Sequence, residues 1–186
     1  MALSRKPPAI AAARHLRQHR MVMPAPGFKY LILADESPEF PAAMLYAAVR
    51  AKTTGCSLVM LYVIEPTSWT HWVAVSEDMR EEAWENARTL TAHFASEIAA
   101  EAQVEAEIAI REGEVREEIK KLIEADRDIK IVVLASGAGR EGPGPLVSSL
   151  AKGQGIGGAR AIPVVVVPGA LGRDEIRALA APTVSA

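Results

Sequence analysis

One cysteine, Cys56, stands in a chain of 186 residues. It excludes an internal disulfide framework, and no cysteine–histidine spacing reads as a zinc site. The lone thiol suits a reducing compartment, so the expected location is cytoplasmic. Aromatic residues make up only 5% of the chain, so its core must rest on Ala, Val, Ile and Leu. No apolar run approaches the ~18 residues that cross a bilayer. The net charge of −2 leaves no overall basic footprint for nucleic acid.

Catalytic signatures are missing as well. A P-loop needs G-x-x-x-x-G-K-[ST], and Lys152 stands between Ala151 and Gly153. The nucleophile elbow G-x-S-x-G is absent. His15, His19, His71 and His93 fall in a terminal segment, a loop and a long helix, none beside a nucleophile at a strand end. A hydrolytic triad is therefore not expected.

Acidic residues are missing before Asp35, whereas Arg5, Lys6, Arg14, Arg17 and Arg20 all precede it. Residues 1–26 read as a basic, poorly ordered N-terminal extension. The same composition suits an organellar transit peptide or a basic arm for nucleic acid or anionic lipid. A domain over 27–169 and a C-terminal tail over 170–186 complete the division.

What is present is regular punctuation. Tyr30 to Ala34 is a short apolar run, as for a strand buried on both faces. Ser37 is expected to cap a helix with Pro38 at its first position, and Gly55 to stop it. Ala42, Leu45, Tyr46 and Val49 recur at helical spacing within it. Leu58 to Ile64 is a second buried strand, followed by a loop with Trp69, His71 and Trp72 that either packs on the domain or covers a cleft. Glu77 to Ala102 reads as a long helix whose inner face is Met79, Ala83, Asn86/Ala87, Leu90, Phe94 and Ile98. Val104 to Ile110 alternates apolar with acidic residues, the pattern of a half-exposed strand near an edge. Val115 to Ala125 is a helix with Ile119, Leu122 and Ile123 inward. Ile129 to Leu134 and Ile162 to Val167 are the fourth and fifth strands. The alternation predicts a parallel, doubly wound α/β sheet that binds ligands beyond the carboxyl ends of its strands.

Eight of the thirteen glycines lie between Gly137 and Gly158, in the connection between the last two strands. G-x-G-x-x-G occurs there twice, at Gly137/Gly139/Gly142 and Gly153/Gly155/Gly158. A dinucleotide fingerprint belongs after the first strand, with an acid ~20 residues on. Neither match follows the first strand, and no acid occurs between Glu141 and Asp174. The connection thus reads as a reshaped, mobile loop.

"YLILADESPEFPAAMLYAAVRAKTTGCSLVMLYVIEP", "IREGEVREEIKKLIEADRDIKIVVLAS" and "AIPVVVVP" resemble, in order and spacing, universal stress protein (UspA-like) domains over Phe28 to Pro168. The resemblance implies an α/β three-layer sandwich with a five-stranded parallel sheet, of the adenine nucleotide alpha-hydrolase-like type. It implies a homodimer formed through the Ile162–Val167 strand, an unidentified signalling partner, and ATP or AMP as the ligand. Nucleotide-binding members carry G-x(2)-G-x(9)-G-[ST] after the fourth strand, where glycines let backbone N–H groups approach phosphates.

Carried onto this chain, the resemblance makes Leu33, Ala34, Asp35 and Val63 the adenine end. Leu134, Ala135, Ser136, Ala138, Ser148 and Ser149 fall on the phosphate motif, and Gly113 lies near the ligand. The spacing Ala135-x(2)-Ala138-x(9)-Ser148-Ser149 is kept, with all three glycines replaced and Ser149 retained. Alanine held at positive φ costs about 1 kcal/mol or more, so strain is expected at these positions. Each residue also has a structural reading: Asp35 caps the first helix, Ser148 and Ser149 cap a later one, and Gly113 serves a tight turn. Arg140 and Lys152 read as solvated loop charges.

Overall fold

The computed structural model describes residues 27–65, 77–137, 139 and 142–181. The N-terminal extension, the Trp69/His71/Trp72 loop, Ala138 and Arg140 lie outside the described residues.

Ten elements follow in order: β1 (Lys29–Ala34), α1 (Phe40–Thr54), β2 (Ser57–Ile64), α2 (Glu77–Ala102), β3 (Ala106–Glu112), α3 (Val115–Ala125), β4 (Ile129–Ser136), α4 (Pro145–Ala151), β5 (Val164–Pro168) and α5 (Arg173–Ala180). The five strands form one parallel sheet in the order β3-β2-β1-β4-β5. Helices α1, α2 and α5 cover one face, where Phe40, Ala43, Met60, Ile98 and Ile176 are packed together. Helices α3 and α4 cover the other, over Leu31, Leu61, Ile119, Ile123, Leu134 and Ile156. This is the parallel α/β sheet that the alternating pattern predicts and the three-layer sandwich that the resemblance implies, with β3 at an edge.

Several local expectations need correction. Ser37 does not cap α1. Its N–H instead donates to Asp35 Oδ1 at 2.9 Å, closing a turn, and the helix starts at Phe40 after Glu39, with Pro41 in its first turn. At the other end Gly55 does stop the helix, at φ 64°, with Cys56 N–H donating to Ala51 O and Gly55 N–H to Lys52 O. Tyr46 and Val49 are only partly buried, whereas seven other residues from Phe40 to Ala51 join Leu45 inside, because α2 and α5 flank α1. The buried stripe of α2 is Ala87, Thr91, Ile98 and Ala102, and Met79 stands 48% exposed. Thr91 is tolerated inside because its hydroxyl donates to Ala87 O at 2.7 Å. Strand β5 starts after Pro163.

The glycine-rich connection holds a helix, α4, and the segment after Gly169 holds another, α5, which buries Ile176 and Ala180. Among the described residues no helix is long and apolar enough to cross a membrane.

Candidate functional site

Strand order reverses at β1, which pairs with β2 on one side and β4 on the other. The two ladders end at different heights. β1 stays paired with β2 to Ala34↔Tyr62, and β4 with β5 to Ser136↔Pro168. The β1–β4 ladder ends lower, at Ile32↔Val133. Beyond that point Leu33-Ala34 and Leu134-Ala135 diverge, and a crevice opens at the switch in strand order, where doubly wound sheets bind ligands.

A cavity of about 400 Å³ occupies this crevice. That volume suits a small ligand of nucleotide size. Its floor is Leu33, Ala34, Val63, Leu134 and Ala135. Its charged lining is Asp35, Glu36 and Glu65 on the β1 and β2 side and Arg116 from the first turn of α3. The segment Pro143 to Val147 closes the remaining wall. One oxygen of Asp35 accepts the Ser37 N–H, which fixes the carboxylate at the strand end without a helix cap. Tyr62 donates to Glu36 Oε1 at 3.2 Å. Burial, and then the Glu36 carboxylate, push the Tyr62 phenol above its ordinary range.

Of the residues singled out in the sequence, Leu33, Ala34, Asp35, Val63, Leu134 and Ala135 line one cavity. Ser136 ends β4 beyond it, and its carbonyl accepts the Gly169 N–H at 2.9 Å. Gly113 lies outside the lining, where it has a turn role. Its φ is 152°, and an added Cβ would come within 2.9 Å of the Glu118 side chain.

Ser148 and Ser149 are neither at a helix start nor in a loop. They sit within α4, whose N-cap is Gly144; the Ser148 N–H donates to Gly144 O at 3.0 Å, and the Ser149 hydroxyl to Leu146 O at 2.7 Å. The strain expected at Ala135 and Ser148 is absent too. Ala135 lies in a strand and Ser148 in a helix, and the only non-glycine residue at positive φ among those described is Gln103. The positive φ angles have moved to Gly142 and Gly144, at 80° and 89°. Ala135, Ser148 and Ser149 thus stand in regular secondary structure, and the positive-φ turn falls in the loop between them.

Arg116 was invisible to motif reasoning. Its guanidinium donates to Ser149 Oγ, and to Gln154 O and Gly155 O, each at 3.3 Å. The only signal was its place three residues after Gly113, at the start of a helix that follows a strand end.

A profile of the universal stress protein family matches residues 29–153. No curated protein matches the chain. Solved structures share its fold. The universal stress protein UspA from Lactobacillus plantarum is 17% identical over 77% of this chain and 99% of that one, with a TM-score of 0.57. A protein from the universal stress protein family from Burkholderia pseudomallei is 17% identical over 78% and 99%, also with a TM-score of 0.57. A universal stress protein in complex with cAMP is 12% identical over 77% and 98%, with a TM-score of 0.52.

Proposed function

The chain belongs to the universal stress protein family, and from that premise we propose a ligand-responsive or adaptor dimer of the stress response whose cleft at β1 and β4 receives an adenine nucleotide. The observation that carries the reading is the cavity of about 400 Å³ at the switch in strand order, lined together by Leu33, Ala34, Asp35, Val63, Leu134 and Ala135. The apolar floor suits the faces of a purine, and the Asp35 carboxylate suits an exocyclic amine or a ribose hydroxyl. A related fold solved with cAMP supports a nucleotide as the ligand.

The residues fit the adenosine end better than the phosphate end, where Ala135 and Ser148 stand in place of glycines. We assign the protein a binding role with weak, incidental hydrolysis at most. Among the described residues the ionisable lining consists of Asp35, Glu36, Tyr62, Glu65 and Arg116, with no serine, cysteine or histidine nucleophile beside a base. The proposed domain starts at 27 and runs past 169 through α5, whose Ile176 joins the core, and its proposed setting is the cytoplasm, which suits the free Cys56.

The test is direct. The protein is purified and denatured, and released small molecules are identified by mass spectrometry, with calorimetric titration of ATP and AMP alongside. Binding of at least one is expected, weakened about tenfold in Asp35→Ala through loss of a charged hydrogen bond. No released nucleotide and no heat with either compound would remove the reading.

A further inference from the structure

We infer that Arg116 is the phosphate-contacting residue of this cleft, and that the cleft therefore selects ligands with one phosphate over ligands with three. The inference rests on the adenine-nucleotide reading above and adds the phosphate anchor and the ligand's charge.

Three observations carry it. First, Arg116 is the only cation among the described residues of the cavity lining, which otherwise hold the carboxylates of Asp35, Glu36 and Glu65. One guanidinium offsets about half the charge of a monophosphate, which is close to −2 at pH 7. A triphosphate brings about two further negative charges into a lining whose described residues are already net acidic, where like charges repel.

Second, among the described residues the backbone of this wall offers few donors. In the wall Pro143-Gly144-Pro145-Leu146-Val147, the two prolines have no N–H. Beside it, the Gly142 N–H is held by Gly139 O and the Ser148 N–H by Gly144 O. That leaves the N–H groups of Gly144, Leu146 and Val147, interrupted by Pro145, as the described backbone donors for phosphate.

Third, Arg116 is positioned but not used up. Its bonds to described residues employ Nη1 twice and Nη2 once, all to neutral oxygens. A guanidinium has five donors, so the Nε–H and one Nη2–H meet no acceptor among the described residues. Two donors on one guanidinium suit a bidentate phosphate contact. Ser149, the retained member of the family motif, takes part by steadying Arg116.

The experiment is calorimetric titration of the full-length protein and of Arg116→Ala and Arg116→Lys with adenosine, AMP and ATP. We expect the wild type to bind AMP at least tenfold more tightly than ATP. Arg116→Ala is expected to lose roughly tenfold to a hundredfold in AMP affinity, down to the level of adenosine, with adenosine affinity itself unchanged. Arg116→Lys should recover part of the loss, because a point charge replaces the fork. Tighter binding of ATP than AMP would overturn the inference and leave the nucleotide reading standing. An equal loss for adenosine and AMP in Arg116→Ala would overturn it too, by making Arg116 a strut for the loop alone. Failure of all three ligands to bind the wild type would overturn both.

Discussion

Lys29, the first residue of β1, bridges Glu107 of β3 and Asp126 at the end of α3, each at 2.8 Å. Its side chain is 22% exposed and that of Asp126 is 23%. Burial pushes the Asp126 carboxyl up, but the bond from Lys29, the Asp128 N–H and nearby positive charge outweigh it, and the net position is below the ordinary aspartate range. Hydrogen bonds that it donates to Asp126 and Glu107 hold the Lys29 ammonium above the ordinary lysine range. The signs follow from linkage. The Asp126 contribution is present at neutral pH and is lost as pH falls through its lowered folded value, below about 4. The Lys29 contribution persists through mildly alkaline pH and is lost only above the lysine range. Lys29→Met should therefore cost about 1 kcal/mol at pH 7. Its stability should also fall less steeply in acid, because the half-buried Asp126 carboxyl keeps only the Asp128 N–H and takes up its proton more readily. Urea unfolding at pH 7, 4 and 3 measures this, and parallel curves for the two proteins would refute it.

Elements differ in how openly the sequence declares them. The bounds of α2 and α3 are those the periodicity predicts, and β2 and β4 differ by one or two residues, because long apolar patterns and buried Val/Ile/Leu runs need no outside partner to be recognised. The start of α1 was hidden because the Asp35 side chain takes the Ser37 N–H and makes a turn from residues that read as a cap. Helix α4 was hidden by its shortness, seven residues between prolines and glycines, and α5 because its two buried residues acquire meaning only once α1 lies beneath them. In the cleft, the apolar and acidic end at β1 and β2 was legible from strand ends. The phosphate end was not, since Arg116 joins it through contacts 33 to 39 residues away in sequence.

Arg160 is a second long-range guanidinium of this kind. It donates to Ile123 O and Ile129 O at 2.6 and 2.9 Å, and at longer range to Asp126 O and Arg127 O. It satisfies carbonyls that α3 leaves open at its end and opposes the negative pole of that helix. Arg160→Ala should lower stability by about 2 kcal/mol, and Arg160→Lys should restore only part, because one ammonium cannot span four carbonyls. Chemical denaturation of both variants checks the ranking, and an alanine variant as stable as the wild type would show the clamp to be idle.

At the scale of the molecule, a parallel sheet has two edges, and the chain treats them differently. The β3 edge carries Glu107, paired with Lys29, and the exposed Arg111, charges that discourage another strand from adding there. The β5 edge, Val164 to Val167, carries no charge at all, and Val166 is 39% exposed on it. Pro163 and Pro168 bracket those residues, so any pairing is confined to the four valines between them. An uncharged β-branched edge of this kind is a template for a second strand, and a two-fold copy of the same strand closes it symmetrically. The proposed homodimer uses this edge. The wild-type protein is expected to sediment at twice its chain mass at micromolar concentration. Val166→Lys places a charge on the edge while leaving the buried Val167 in place, and should sediment at the chain mass with an unchanged circular dichroism spectrum. A wild-type monomer at micromolar concentration would rule the dimer out. A Val166→Lys protein that stays dimeric would move the interface to another surface.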